Sequence, residues 1–193
     1  MIRPASRARY SYEQYRCFEE ATDAKHEYAD GEILAMAGGT PEHAALAAAV
    51  IAEFSRHLTG GPCSMFSSDL RVRIRATGLA TYPDVTVVCG DLQRDVDDAH
   101  AAVNPTVLVE VLSDSTEAYD RGDKFTHYQL IPELRAYVLV SHRDRHVEVW
   151  SRDLAGAWQH CDGTRGMSVA IEPIGLSISV DAIYDRAPVT RGI

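Results

Sequence analysis

Two rhythms alternate along this chain: uninterrupted apolar runs, and apolar residues recurring at helical spacing. Each predicts its own kind of element. Ser11-Tyr12-Glu13-Gln14 has the form of a capping box and predicts a short amphipathic packing helix to about Ala21. Lys25 to Ala37 reads as a hairpin turning at Asp30-Gly31. Thr40 and Pro41 stand as N-cap and first residue of a core helix. Its Leu46, Val50, Ile51, Phe54 and Leu58 share one face, and Gly60-Gly61 ends it. Leu70 to Arg75 alternates strictly, apolar on one side and arginine on the other. Thr77-Gly78 turns into the apolar run Tyr82 to Val88, and Gly90 to Asn104 follows as an acidic connection, a surface loop or short helix. Thr106 to Ser113, behind Pro105, predicts a strand buried on both faces. Cap residues at Ser113 to Thr116 introduce a helix from about Glu117 to Leu130, stopped by Pro132, with Asp120, Lys124 and Tyr128 on one face. Ala136 to Val140 is a further buried strand, and His146 to Trp150 alternates as an edge or outer strand would.

Beyond Ser151 the pattern weakens to short strands around Trp158, Met167 to Ile171 and Leu176 to Val180. Turns are expected at Gly156, Gly163 and Gly175, and Asp181 as a last cap. With no internal repeat and no low-complexity tract, one domain is expected over 1–193, its core at about 12–150 and a β-rich extension at about 151–193.

One residue contradicts its surroundings. Glu110 places a carboxylate in the most apolar strand, where an ionised acid costs several kcal/mol unless a cation or several donors meet it. Asp84, near the start of the preceding apolar run, is the nearest similar case, and two acids on two core strands suggest a hard-cation site. Other polar residues have a plain structural reading beside a functional one. Glu27 faces solvent or a site, and His43, in the first turn of its helix, is a surface residue or a ligand contact. Asp69 is a turn residue or lies behind the site. Arg71, Arg73 and Arg75 form a solvated strand face or a phosphate-facing stripe. Lys124, four residues after Asp120, has the surface ion pair as its plain reading.

Composition narrows the function classes. The 193 residues are 46% hydrophobic and 24% charged, ordinary for a soluble domain, and no apolar window reaches a transmembrane length. The polar start with Arg3, Arg7 and Arg9 shows neither secretory signal nor anchor. Scattered cysteines at 17, 63, 89 and 161 argue against a zinc knuckle and a disulfide framework and for a reducing cytoplasm. A formal net charge of −9 disfavours loose adhesion to nucleic acid, so any such role needs a local basic groove or a metal ion.

The ordered set Pro83-Asp84, Glu110-Val111-Leu112-Ser113, and Asp120-Arg121-Gly122-Asp123-Lys124 with Tyr128 and Ile131-Pro132 carries a resemblance. Lys25-His26-Glu27-Tyr28 to Gly31 and His43 precede it. From about Tyr12 to Trp150 the chain resembles the restriction-endonuclease-like PD-(D/E)XK nuclease superfamily, and within it the Uma-type endonucleases of bacteria. The resemblance implies an α/β (α+β) fold, a mixed central β-sheet flanked by helices, with Mg²⁺ or Mn²⁺ used to hydrolyse DNA phosphodiester bonds. Carried over by position, Asp84 and Glu110 would be acidic metal ligands, the Val111 carbonyl a third oxygen, and Lys124 the catalytic lysine. Glu27, His43 and Tyr128 would be secondary contributors. The chain departs from the superfamily at Leu112, where the motif expects lysine; as in Uma-type sequences, the lysine stands instead at Lys124. The departure and the acidity favour the alternative of a nuclease-fold binding module without turnover. A hydrolase of smaller phosphoesters lacks any Gly-rich phosphate loop here. DNA, no membrane and a homodimer complete the expectations.

Overall fold

The computed structural model describes residues 9–187 apart from Ala37. The arginine-bearing start at 1–8 and the last residue of the expected hairpin lie outside the described residues. Helix α1 (Tyr12–Glu20) has the predicted reciprocal cap. The Ser11 hydroxyl accepts from Gln14 N at 3.2 Å, and the Gln14 side chain accepts from Ser11 N at 2.8 Å. Strands β1 (His26–Ala29) and β2 (Glu32–Ala35) meet through Asp30 at φ 49° and Gly31 at φ 82°. That pair of left-handed residues is what a tight hairpin turn demands. Helix α2 (Pro41–Leu58) starts on Thr40, whose hydroxyl accepts from His43 N at 3.2 Å.

Strands β3 (Cys63–Ser67), β4 (Arg71–Ile74), β5 (Leu79–Thr81), β6 (Val85–Cys89), β7 (Ala101–Ala102) and β8 (Val107–Val111) follow. After α3 (Glu117–Arg121) and α4 (Asp123–Tyr128) come β9 (Ala136–Val140), β10 (His146–Arg152) and β11 (Trp158–Thr164). The hairpin β12 (Ser168–Ile171) and β13 (Leu176–Ser179) and helix α5 (Val180–Tyr184) end the described chain. One sheet runs β2-β1-β5-β4-β7 and a larger one β11-β10-β9-β8-β6-β3, with β8 and β9 parallel and its other pairs antiparallel. No helix among the described residues is long and apolar enough to cross a membrane.

Period-two alternation along β8 serves two cores. Val107, Val109 and Val111 pack with α2, β10, the C-terminal hairpin and α5. Leu108 and Leu112 face the other way, with Phe125 and Tyr128 of α4 and Val72, Ile74 and Leu79 of the smaller sheet. Residues 169–187 contribute Val169, Ile178 and Ile183 to the first core.

Several expectations are corrected by tertiary packing. The run Tyr82 to Val88 is not one strand: the chain leaves the smaller sheet after Thr81 and enters the larger at Val85, so Pro83-Asp84 is the corner between them. The helix expected from Glu117 breaks at Gly122 (φ −110°, ψ −100°). β10 is paired on both sides and β11 is the edge. Gly163 lies inside β11, opposite Val147, rather than in a turn, and its missing side chain leaves room for Val169, whose Cγ1 would stand 2.6 Å from a Cβ there. Ser179, not Asp181, caps the last helix. The acidic connection carries β7 and buries Asp95 and Asp98. These acids engage two of the three stripe arginines, of which Arg71 is buried and Arg75 remains about half exposed. Arg75 meets Asp95, buried Arg71 meets Asp98, and Arg73 stacks on the Tyr12 ring. Cys63 and Cys89, opposite each other across β3 and β6, form a disulfide, against the expectation from their spacing; Cys17 and Cys161 stay free and exposed. Cross-strand adjacency leaves no mark in sequence separation.

Candidate active site at the corner between the sheets

Glu110 shares its face of β8 with Leu108 and Leu112, so its side chain enters the second core and is 4% exposed. Lys124 Nζ reaches its Oε1 at 2.9 Å, and the Tyr128 hydroxyl donates to the same oxygen at 2.8 Å. Both partners come from α4, one turn apart, which is why their spacing puts them on one side of the helix. Leu112 is buried among the apolar residues of that core and offers nothing polar.

Lys124 is itself almost fully buried and serves more than Glu110. Its ammonium lies 3.3 Å from Glu27 Oε1 and 3.4 Å from Asp120 Oδ1. Glu27 arrives from β1, where the Thr81 hydroxyl of neighbouring β5 donates to it. Asp120 comes from α3, across the break at Gly122. Sequence reasoning kept Asp120 only as a helix-face neighbour of Lys124 and missed it as a member of the cluster. Its spacing from Lys124 was the available signal.

Asp84 stands at the corner itself. Its Oδ2 accepts from Val111 N at 2.7 Å and lies 3.2 Å from His43 Nε2. The Asp84 carboxylate thus covers a β8 amide just past the last β6–β8 register pair, Val85 with Val109. His43 reaches this point from the first turn of α2. Asp69, by contrast, is exposed and pairs with Lys25, away from the cluster.

The electrostatics follow from an excess of acids over cations. Burial raises the proton affinity of Glu110, the charges of Asp84 and Asp120 add to this, and Lys124 opposes it; the outcome lies at about 8. Asp120 is raised by burial, with Asp84 adding to it. Lys124 is held well above its ordinary value because Glu110, Glu27 and Asp120 outweigh the cost of burying its charge. His43 is raised chiefly by its hydrogen bond to Asp84, against its own partial burial. Glu110 and Lys124 both move upward because the pocket as a whole carries more negative than positive charge. Among the described residues no group of three or more His, Cys, Asp or Glu stands ready-made to hold a metal ion. Instead Glu27, Glu110 and Asp120 converge on an ammonium. The donor atoms at Asp84, Glu110 and the Val111 carbonyl are nonetheless all oxygen, the donor chemistry that a hard divalent cation takes.

Residues 12–181 match the family model of Uma2, "Putative restriction endonuclease". The chain belongs to the Uma2 family. An uncharacterized protein of Synechocystis sp. is 40% identical to this Uma2 chain over 174 residues, 90% of each. A second from the same organism is 31% identical over 127 residues, 66% of this chain and 72% of its own. The crystal structure of a "putative nuclease belonging to DUF820" from Anabaena variabilis matches with a TM-score of 0.69 at 16% identity, covering 85% of this chain and 92% of that one. At that identity what is shared is the fold. The mixed sheet flanked by helices that the sequence led one to expect is therefore the Uma2 architecture seen here.

Proposed function

We propose that this Uma2 protein is a divalent-metal-dependent endonuclease that hydrolyses DNA phosphodiester bonds. The observation that carries the reading is the charge imbalance at the corner. Glu27, Glu110 and Asp120 share the ammonium of Lys124, with Asp84 close enough to raise two of them further. A site of that sign repels a phosphodiester unless a cation joins it. Asp84, Glu110 and the Val111 carbonyl would hold Mg²⁺ or Mn²⁺. Such an ion supplies phosphate charge neutralisation and a more acidic water.

The chain's own residues divide the remaining work. Lys124 keeps its proton and presents a fixed positive charge beside Glu110. Tyr128 holds the Glu110 oxygen in place from behind. His43, whose charged form Asp84 favours, stands at the more open side of the site, where it would bond an incoming phosphate oxygen. We further propose that the protein acts on its DNA substrate as a homodimer whose two sites address two strands.

A second reading, a binding module without turnover, is favoured by Lys124 being engaged by three acids and by the buried leucine at 112. Supercoiled, linear and single-stranded DNA incubated with Mg²⁺, Mn²⁺ or chelator separates the two. Nicking that requires the cation, and falls by about 100-fold or more in Asp84→Asn and Lys124→Ala, is expected. Metal binding with no cleavage of any substrate would leave the binding module standing. Nicking that survives Asp84→Asn would sink the assignment of the site.

A further inference from the structure

The segment bearing Glu27 is laddered to β2, but little backbone pairing ties it to the chain that carries Asp84. β1 and β5 pair through a single register position, Tyr28 with Ala80. From Tyr82 to Asp84 the chain has left one sheet and not yet joined the other. Side chains must therefore set the geometry there.

One carboxylate does so, and it belongs to α1, outside the cluster. Glu19 is 8% exposed. Its Oε1 accepts from His26 N at 3.0 Å and from the Tyr82 hydroxyl at 2.7 Å, while its Oε2 lies 2.9 Å from His26 Nδ1. His26 immediately precedes Glu27, and Tyr82 is separated from Asp84 only by Pro83, whose ring stiffens the link. Behind Tyr82, Arg71 Nε donates to the same hydroxyl at 2.9 Å, and its guanidinium pairs with Asp98, which also accepts from Tyr12 of α1 at 2.6 Å. The Tyr15 hydroxyl donates to the His26 carbonyl at 2.7 Å. A buried network satisfied at each of these members resists displacement, because loosening one leaves others unpaired.

We infer that Glu19 is a positioning residue for the site: its carboxylate clamps the segments bearing Glu27 and Asp84 to one helix and so sets their separation. The inference rests on the nuclease reading of the cluster, but its first readout does not. The Val111 amide is covered by Asp84, so its hydrogen exchange reports where Asp84 stands without metal or turnover. Val138, inside the same sheet, reports global stability.

The test compares the full chain with Glu19→Ala, Glu19→Gln, Tyr82→Phe and, as control on the exposed side of α1, Glu20→Ala. In Glu19→Ala the Val111 amide should exchange about tenfold faster relative to Val138. Plasmid nicking with Mn²⁺ should lose about tenfold or more in kcat with KM for DNA little changed. Glu19→Gln should recover part of both, since its carbonyl still accepts from His26 N and Tyr82. Should Glu19→Ala fail to fold, Tyr82→Phe must show the same selective loss at Val111. Folded Glu19→Ala with wild-type exchange and kcat overturns the inference, as does equal acceleration at Val111 and Val138. A wild type that cuts nothing, beside a selective loss at Val111, supports the clamp and removes the nuclease reading instead.

Discussion

At Glu110 burial works against the charge that the site needs. Its carboxyl holds a proton up to about 8 because water is excluded and Asp84 and Asp120 lie near, with Lys124 only partly compensating. In the unfolded chain a glutamic acid releases that proton near 4.3. Between those values the folded state binds more protons than the unfolded one, so stability falls as pH rises through that window. Raised Asp120 acts with the same sign. So does His43, whose contribution is full below its unfolded value near 6.5 and lost as pH climbs through its raised folded value. In chelator, the urea midpoint of the wild type should therefore drop from about pH 5 to about pH 8.5. Glu110→Gln should flatten that drop, by on the order of 2 kcal/mol at the alkaline end. A wild-type profile rising over the same range would contradict the surplus of buried acid.

The joint between α3 and α4 is where an element's geometry becomes the site's geometry. The caps at Ser113 to Thr116 and the stop at Pro132 predict one continuous helix, yet the chain breaks at Gly122, a poor helix former. The residue before the break is anchored from outside the helix. Arg121 meets both oxygens of Glu148 on β10 at 2.7 and 2.8 Å and also bonds Glu117 at 3.0 Å. This fork ties α3 to the sheet next to Asp120, while the break frees α4 to carry Lys124 back toward Glu110. Glu148→Ala should cost only about 1 kcal/mol in a urea melt, since Arg121 is 36% exposed in its side chain. Nicking should nevertheless fall by about tenfold, through displacement of Asp120 and Lys124. Unchanged nicking at that stability would show that the joint holds without the fork.

The whole molecule carries a net charge of −9, and Arg71 and Arg75 of its arginine strand pair internally with Asp98 and Asp95. No long-range attraction draws DNA to such a surface, so under the proposed function affinity would have to come from the corner between the sheets and from a cation bound there. Ca²⁺, which also favours oxygen donors, gives a way to see this. Fluorescence anisotropy with labelled duplex should show at least about tenfold tighter binding with Ca²⁺ than with chelator, and Asp84→Asn should abolish the difference. Equal affinity in both conditions would remove the cation from the binding surface.

The sequence alone determined whatever depends on neighbours within a few positions. The Ser11-Gln14 box, the Asp30-Gly31 turn, the Thr40-Pro41 helix start and the two-faced strand around Glu110 were all legible, because caps, turns and alternation are short-range physics. It also showed that Glu110 needed a partner, and family resemblance pointed to Asp84 and Lys124. Only the tertiary structure decided who meets whom. Lys124 answers three acids, Asp120 joins from a broken helix, Glu19 reaches both β1 and the corner at Tyr82, and Arg71 is buried rather than bare. Those contacts depend on the order of strands in two sheets and on the corner at Pro83-Asp84. Strand order arises from global burial, and no local stretch of chain encodes it.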